Sequence, residues 1–247
     1  MQIKLEEGEK IEDLQCKGLK LIQNKDLYSF TSDSVVLANF ITTKKKDSCV
    51  EIGGGSGVIS ILLSAKSQFK KSYIFEIQSK MFELLQKNIQ LNELDEKLTA
   101  ICDDVGNYKK YIGMGEIDVV YSNPPYMKTN ISRNPNQVRD IARHDETLDI
   151  EKLCKCASEM LRFGGKFYLV YTAERSAELI CTLQKHNLMP KQMFFTENGK
   201  GRVVLVVIEA VKGGKWGVKV LPQLQTNDND GKYIEKLQTK YVGENND

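Results

Sequence analysis

The amino-acid sequence predicts an α/β fold built on a mostly parallel, seven-stranded sheet whose last strand is antiparallel. Short runs rich in β-branched residues alternate with helical stretches, and this order is typical of a parallel sheet covered on both faces. The last two strand-like runs, at 193–196 and 203–210, are separated by only a short turn, so they should pair as an antiparallel hairpin. Hydrophobic residues make up 41% of the 247 residues, which allows a large core and excludes global disorder.

Each predicted element follows from a local pattern. Strands are predicted where β-branched and aromatic residues cluster, and helices where apolar residues recur three and four positions apart. The strands are expected at 49–53, 72–76, 98–102, 117–122, 165–171, 193–196 and 203–210. The helices are expected at 57–66, 79–91, 149–162 and 173–186, with a short one near Asn107. A long polar loop precedes the helix at 149–162.

The chain should form a single domain with two extensions, because its length suits one α/β domain. The expected parts are a hairpin extension at 1–31, a core at 32–210, and a tail at 211–247 that docks on the core. The hairpin is expected to pair 18–23 with 27–30 across a turn at 24–26. Ser32 should cap a helix that runs to Ile41.

Charge and cysteine usage narrow the functional class only slightly. Lys and Arg total 35 against 33 Asp and Glu, and this balance neither indicates nor excludes a nucleic-acid partner, because a local basic face is sufficient. The six cysteines lack paired CxxC spacing, so we expect free buried thiols in a reducing cytosol and no metal site. The charged first ten residues and the lack of a run of roughly 20 apolar residues predict a cytoplasmic protein without signal peptide or membrane span.

Four other features are interpreted as structural. Trp216 is expected to be a core anchor, and His186 to cap the end of a helix. The clusters Lys44-Lys45-Lys46 and Lys70-Lys71 are interpreted as solvated loop charge.

A glycine-rich segment between the first core strand and the first core helix predicts a ligand site. Glycines there allow a tight turn and a close approach of the backbone to a ligand. The dinucleotide-binding pattern requires a further glycine where this chain has Val58. The segment reads E-x-G-x-G-x-G instead, with Glu51, Gly53, Gly55 and Gly57 at the fixed positions. This spacing resembles motif I of S-adenosylmethionine-dependent enzymes. Their ligand carries cationic sulfonium and ammonium groups, which a nearby carboxylate can stabilise.

Acids at the ends of the next two strands support a nucleoside site. Glu76 ends the second strand, about 20 residues after the glycine loop, where a carboxylate can accept both ribose hydroxyls. Asp103 and Asp104 follow the third strand. The resemblance implies that an acid there meets the adenine amine of the cofactor, and we favour Asp104 because the apolar Val105 follows it.

The segment Ser122-Asn123-Pro124-Pro125-Tyr126 follows the fourth strand and predicts an acceptor site. Two consecutive prolines remove two backbone donors, so the loop presents carbonyls that only accept. An exocyclic amine has two N–H groups, which the side-chain oxygen of Asn123 and the carbonyl of Pro124 can accept. Tyr126 offers a face on which a base can stack. Because the methyl donor is already activated, positioning and electrostatics should be the main catalytic demands.

Together these segments resemble the class I S-adenosylmethionine-dependent amino-methyltransferases, which have a Rossmann-like fold. The stretches 28–38 and 139–146 resemble the bacterial family that methylates the adenine beside the anticodon of valine tRNA. The resemblance implies a tRNA partner, S-adenosylmethionine as the cofactor, no required metal and no membrane. It also places Thr31 among the cofactor-binding residues, and Arg139, Arg143 and His144 beside the substrate. A departure is Glu51 with Gly54, where many relatives have Asp with Ala or Cys.

Three other functions use parts of the same pattern. Methyl transfer to a glutamine amide of a release factor would need the same Asn-Pro-Pro-Tyr loop. The enzymes that catalyse it usually carry a helical N-terminal domain, whereas about 30 residues precede Ser32 here. Methyl transfer to a guanine amine of ribosomal RNA also fits the loop. A non-catalytic nucleoside-binding module would have no need for Asn123 and Tyr126.

Overall fold

The computed structural model describes residues 4–27, 32–124, 149–198 and 200–226. The first elements are β1 (Glu9–Asp13), β2 (Lys20–Asn24) and α1 (Ser32–Phe40). The alternating part comprises β3 (Ser48–Ile52), α2 (Val58–Lys66), β4 (Lys71–Glu76), α3 (Ser79–Leu91), β5 (Leu98–Cys102), a 3₁₀ turn (Val105–Lys110), β6 (Ile117–Ser122), α4 (Ile150–Met160) and β7 (Leu161–Thr172). A second 3₁₀ turn (Ala173–Arg175), α5 (Ser176–Lys185), β8 (Leu188–Glu197), β9 (Val203–Lys212), β10 (Lys219–Val220) and β11 (Leu224–Gln225) follow.

The central sheet has the predicted mixed topology. Its strand order is β5-β4-β3-β6-β7-β9-β8-β10, and β11 also pairs with β8. Strands β3 to β7 are mutually parallel, whereas β9 lies antiparallel between β7 and β8. The seven predicted core strands and the antiparallel last strand are confirmed. The two short strands β10 and β11, which widen the sheet to nine strands, were not predicted, because two-residue strands leave no pattern in the sequence.

Parallel pairing aligns the strand ends that carry the candidate site. Ile52 lies opposite both Phe75 and Ser122, and Glu76 lies opposite Cys102. The ends of β3, β4, β5 and β6 therefore meet at one edge of the sheet, which we call the carboxyl edge. Ligands of open α/β sheets bind outside this edge.

A hydrophobic core lies on each face of the sheet. On one face, Leu37 of α1, Ile61 of α2 and Leu85 of α3 belong to one buried cluster. On the other face, Leu153 of α4 and Leu179 of α5 belong to a second. Helices thus cover both faces, as the strand–helix alternation predicts.

The predicted N-terminal hairpin was assigned to the wrong strands. β2 pairs antiparallel with β1, from Glu9 opposite Asn24 to Asp13 opposite Lys20. Residues 28–30 of the expected partner lie outside the described residues. The opposite edge of β2 is occupied by α3. Asn88 accepts from the Ile22 amide at 2.6 Å and donates to its carbonyl at 3.0 Å, and Asn92 does the same for Lys20 at 2.9 and 2.8 Å. These side chains occupy the backbone amides and carbonyls of β2 with which a strand at 27–30 would have to pair.

Several further predictions need correction. Trp216 is 77% exposed and anchors no core, because it follows a Gly213-Gly214 turn beyond the end of β9. Of the six free cysteines, Cys102 and Cys181 are exposed, so the expectation of uniformly buried thiols was wrong. Ser32 is the first helical residue of α1, and α1 ends at Phe40. In the part of the chain that the structure describes, no helix has the length and hydropathy to cross a membrane.

Candidate cofactor and acceptor site

The glycine loop after β3 is fastened to the neighbouring strand. The amides of Gly53 and Gly54 both donate to the carbonyl of Phe75, at 2.9 and 3.0 Å, and the amide of Gly57 donates back to Gly54 at 2.8 Å. Gly53, Gly55 and Gly57 all have positive φ, which side chains rarely adopt, so the tight turn requires glycine at these positions. Helix α2 begins directly afterwards at Val58.

The four glycines of the loop face two different environments. A side chain at Gly53 would meet nothing within 4 Å, and one at Gly55 would meet only the Met81 methyl at 3.7 Å. A side chain at Gly54 would collide with Ile74, and one at Gly57 with Leu85. The first pair therefore leaves open space at the carboxyl edge, and the second pair packs the loop on the core. A side chain at Gly54 would therefore require Ile74 to move.

The carboxylate of Glu76 is held by backbone amides at the end of β4. Its Oε2 accepts from Gly55 at 2.9 Å and its Oε1 from Gln78 at 2.8 Å. The side chain is buried, and burial raises the pKa of its carboxyl group, while the amides partly oppose that shift. Glu76 therefore lies against the glycine loop, as predicted, and the loop amide of Gly55 fixes its orientation.

Glu51 is buried beneath the glycine loop and begins a polar network. Its Oε2 accepts from the Ser60 amide at 3.2 Å and from the Ser60 hydroxyl. The Ser60 hydroxyl lies 2.7 Å from the hydroxyl of Tyr121, which in turn lies 2.9 Å from that of Ser72. All four side chains are at most 1% exposed. The network therefore links β3, α2, β6 and β4 inside the core.

Burial dominates the electrostatics of Glu51. It raises the pKa of the carboxyl group from an ordinary 4.5 to about 8, against the hydrogen bonds from Ser60, and the nearby charge of Glu76 raises it slightly further. The second oxygen, Oε1, is buried and has no hydrogen-bond partner among the described residues. A buried carboxyl oxygen without a donor is costly. The site therefore favours either a protonated Glu51 or a donor from a cationic ligand.

The two acids after β5 engage different partners. Asp103 accepts from Asn107 at 2.7 Å, from Lys110 at 3.0 Å and from Tyr111 at 2.9 Å, and these donors, Asn107 first, hold the pKa of its carboxyl group well below the usual range. Asp104 instead caps the first 3₁₀ turn by accepting from Gly106 and pairs with Lys152 of α4 at 2.7 Å. The fully engaged Asp103 has less capacity for a ligand than Asp104.

The start of the predicted acceptor loop lies directly beside the glycine loop. Ser122 donates to the carbonyl of Ile52 at 2.7 Å and so joins the ends of β6 and β3. The next residue, Asn123, donates from Nδ2 to the Oγ of the buried Ser34 on α1 at 3.0 Å. Pro124, which follows, is buried. The acceptor loop therefore starts at the same edge as the glycine loop and is held there by β3 and α1.

Not every candidate residue can be located. Thr31, Pro125, Tyr126, Arg139, Arg143 and His144 lie outside the described residues. His186 ends α5 as its C-cap, which confirms the predicted capping position, and its Nε2 also lies 2.8 Å from Glu151 on α4. Among the described residues, no three His, Cys, Asp or Glu side chains are grouped as metal ligands.

Sequence reasoning missed four residues of the site: Ser34, Ser60, Tyr121 and Lys152. Tyr121 had a usable signal, because it is an aromatic residue with a hydroxyl near the end of β6, two positions before Asn123. Ser34 and Lys152 come from helices distant in sequence, and Ser60, although it lies in the first turn of α2, shows no pattern that indicates its bond to Glu51.

Comparisons with known proteins agree with this geometry. The tRNA1(Val) (adenine(37)-N6)-methyltransferase of Porphyromonas gingivalis strain ATCC 33277 is 29% identical over 133 residues, which cover 53% of this chain and 52% of that relative. This alignment thus spans about half of the relative. The protein of the same description from Bacteroides fragilis strain YCH46 is 22% identical over 231 residues, covering 92% and 97%.

The solved structures show the fold. A predicted O-methyltransferase from Agrobacterium tumefaciens superposes with a TM-score of 0.64 at 14% identity, covering 83% of this chain and 94% of that one. Its resemblance supports a Rossmann-like methyltransferase fold. The family model of the methyltransferase small domain matches residues 28–195, which is more than half of the chain. The chain therefore belongs to the methyltransferase small domain family.

Proposed function

We propose that this chain transfers a methyl group from S-adenosylmethionine to the exocyclic N6 amine of an adenine in RNA, most specifically in tRNA next to the anticodon. The observation that carries the proposal is the contact between the two loops. Ser122 joins the acceptor strand β6 to the end of β3 at 2.7 Å, so the glycine loop and Asn123 open at the same edge.

The residues at this edge fit S-adenosylmethionine. Gly53 and Gly55 leave space in which a ligand can approach the backbone. Glu76, at the end of β4, supplies a carboxylate for the ribose hydroxyls. The unpartnered Oε1 of Glu51 offers an acceptor for a cationic group. Asp104 is our choice for the adenine amine. Thr31, Gly57, Asp103 and Asn123 complete the proposed cofactor-binding set. When bound, the cofactor supplies an electrophilic methyl group on its sulfonium.

The chain's own contribution to the chemical step is to hold the acceptor amine. The side-chain oxygen of Asn123 and the carbonyl of Pro124 would accept its two N–H groups and favour the pyramidal nitrogen. Its lone pair would form the N–C bond as the S–C bond of the cofactor breaks, so that a neutral thioether leaves and one N–H proton passes to water. Pro125 keeps the loop free of competing donors. Tyr126 stacks on the base, while Arg139, Arg143 and His144 contact the substrate around it. An anticodon-loop base is already unpaired, so extruding it costs less than it would from a duplex.

The substrate class rests on the relatives. Both curated relatives are described as adenine-N6 methyltransferases of tRNA1(Val). A release-factor glutamine amide or a ribosomal guanine amine would use the same two acceptors, so either remains a distinct outcome of the test. We further propose that the chain acts in the cytoplasm as one methyltransferase domain, with a hairpin extension before residue 32 and a docked tail from residue 211.

One experiment decides between these substrates. The protein is incubated with radiolabelled S-adenosylmethionine and, separately, with unmodified tRNA, ribosomal RNA, DNA and release factor, and the labelled nucleotide or amide is then identified. We expect label in N6-methyladenosine of tRNA and none with Asn123→Ala. Label only in a glutamine amide or in a guanine amine would replace the proposed substrate. Binding of NAD, without any binding of S-adenosylmethionine, would overturn the methyltransferase proposal itself.

A further inference from the structure

Eight lysines gather at the edge of the sheet opposite to the carboxyl edge. Their shared location is the amino ends of β3, β4 and β5 together with the last turn of α2. They are Lys17, Lys44, Lys45, Lys46, Lys66, Lys70, Lys71 and Lys97, and we call this set the lysine cluster. The sequence alone shows only the two short runs, at 44–46 and 70–71, and predicts solvated loop charge for them. Lys66 joins from the last turn of α2, and Lys17 and Lys97 join from distant positions in the chain.

The connection between α1 and β3 is fixed to the connection between α2 and β4. Thr43 donates from its hydroxyl to the carbonyl of Gln68 at 2.7 Å, and the Lys70 amide donates to Asp47 at 2.8 Å. Asp47 also accepts from the Lys44 amide through its side chain at 2.8 Å, which closes the turn that carries the three lysines at 44–46. Two separate basic runs thus form one ordered surface.

The C-terminal turn of α2 brings in the other lysines. Lys17 donates to the carbonyl of Ala65, and Lys97 donates to the carbonyl of Ser64 at 3.2 Å. Lys66 lies in the same turn and donates to Asn39. Lys17 and Lys97 thus bond to carbonyls of adjacent residues, and this brings their positive charges to the same turn.

Among the described residues, no lysine of the cluster forms an ion pair with an acidic side chain. The ion pairs of the described residues involve lysines elsewhere, such as Lys87, Lys152 and Lys166, and include no member of the cluster. Asp47 is engaged by a backbone amide of its own turn. Asp47, Asp95 and Glu96 lie in the same connections, but the eight lysines outnumber them. A surface with an excess of positive charge attracts polyanions, and added salt weakens that attraction.

We propose that the lysine cluster binds the phosphate backbone of the RNA substrate at a distance from the methylated base. This inference rests on the proposed function and deepens it. A five-residue strand such as β3 spans about 15 Å, so the cluster lies beyond the reach of a single nucleotide at the carboxyl edge. A polynucleotide that continues past the acceptor base covers that distance. Lysines spread over four connections suit successive phosphates rather than one small anion.

The test compares two variants with the same change in charge. The cluster variant carries Lys44→Gln, Lys45→Gln and Lys46→Gln, and the control carries Lys25→Gln, Lys155→Gln and Lys219→Gln at exposed positions elsewhere. The dissociation constant for an unmodified tRNA is measured from about 50 to 200 mM salt. We expect the cluster variant to bind roughly tenfold or more weakly at about 0.1 M salt, with a salt slope lower by about 0.7 to 0.9 for each phosphate that the variant no longer neutralises. Cofactor affinity and kcat at saturating tRNA should not change.

Each other outcome has a defined meaning. Equal weakening by the two triple variants would overturn the proposal, because only net charge would then matter. Unchanged tRNA binding by the cluster variant, together with abolished binding to vesicles of phosphatidylserine and phosphatidylcholine, would assign the surface to a membrane and would also overturn it. If wild type binds tRNA through the lysine cluster but methylates no RNA, the proposed function fails while the surface stands.

Discussion

The side chain of Asn123 donates through Nδ2 to the Oγ of Ser34, at 3.0 Å. A carboxamide presents a donor at one end and an acceptor at the other, so the partner of the nitrogen decides where the oxygen points. Because Nδ2 is engaged by Ser34 on α1, we expect Ser34 to help set the orientation in which Oδ1 meets the acceptor amine. The first two predictions separate the roles of these two residues.

Asn123→Ala should reduce kcat on the order of 100-fold or more, by analogy with the loss of one preorganised polar group. The deleted acceptor matters most while the nitrogen becomes tetrahedral, so KM should change far less than kcat. Single-turnover methylation of an unmodified tRNA pool would measure this effect. A variant with near-wild-type kcat would show that the Asn-Pro sequence only forms a turn.

Ser34→Ala should have the same kind of effect in a weaker form, with kcat lower by roughly tenfold, because Asn123 is then present but not oriented. Ser32→Ala is the matched control, since the Ser32 hydroxyl donates to Asp33 at 3.3 Å in the same helix turn. Both variants should bind S-adenosylmethionine as wild type does. Equal loss of kcat in the two variants would point to a general disturbance of α1.

The sequence specified the core of the fold because each core strand and helix is long enough to show its own periodicity. It failed where partners come from distant positions. The charged β1 contains a single strongly apolar residue, Ile11, and it therefore has no strand pattern. Its pairing depends on Asn88 and Asn92, which occupy the other edge of β2 from within α3. Two asparagines in a helix give no signal that they will contact a strand.

The candidate site likewise contains residues that the sequence indicates and residues that it does not. The glycine loop and the acids at the strand ends could be found, because the chemistry there requires particular residue types at fixed spacing. The network around Glu51 could not, because Ser60 and Ser72 are small polar residues whose burial is decided by tertiary packing. The lysine cluster was only partly visible for the same reason, since Lys17 and Lys97 reach α2 from remote segments.

Gly55→Ala should weaken cofactor binding strongly while the fold persists. The added methyl group would project into the open space in front of the loop, and the positive φ would cost about 1 to 2 kcal/mol of stability. Gly54→Ala is the opposite case, because its methyl group would collide with Ile74 in the core and should mainly destabilise the fold. Calorimetric titration and urea unfolding would distinguish the two. Unaltered cofactor affinity in Gly55→Ala would exclude a ligand above that residue.

The stability of the protein without cofactor should fall as pH rises from about 5 to about 8. Burial raises the pKa of the Glu51 carboxyl group from 4.5 to about 8, so in this window the folded state keeps a proton that the unfolded state has released. The pKa of Glu76 is also raised and adds to the trend. In Glu51→Gln, which cannot titrate, Tm should decline less over the same range. Parallel Tm profiles for wild type and Glu51→Gln would place the titrating group elsewhere.

Tyr121→Phe should destabilise the fold by about 1 to 3 kcal/mol, although it removes a single oxygen atom. The hydroxyl of Tyr121 bonds with both Ser60 and Ser72, and all three groups are buried, so its removal leaves two hydroxyls without this partner and without access to water.

The same change should weaken S-adenosylmethionine binding by several-fold, because Ser60 also donates to Glu51 beneath the glycine loop and would no longer be oriented by Tyr121. Tyr73→Phe is the matched control, because Tyr73 lies on β4 and is half-buried. It should leave the stability and the cofactor affinity near wild type. Urea unfolding gives the stability and calorimetry gives the affinity. If Tyr121→Phe lowered stability but bound the cofactor normally, the network would serve the core alone; if neither quantity changed, the hydrogen bonds of Tyr121 would contribute nothing measurable to either.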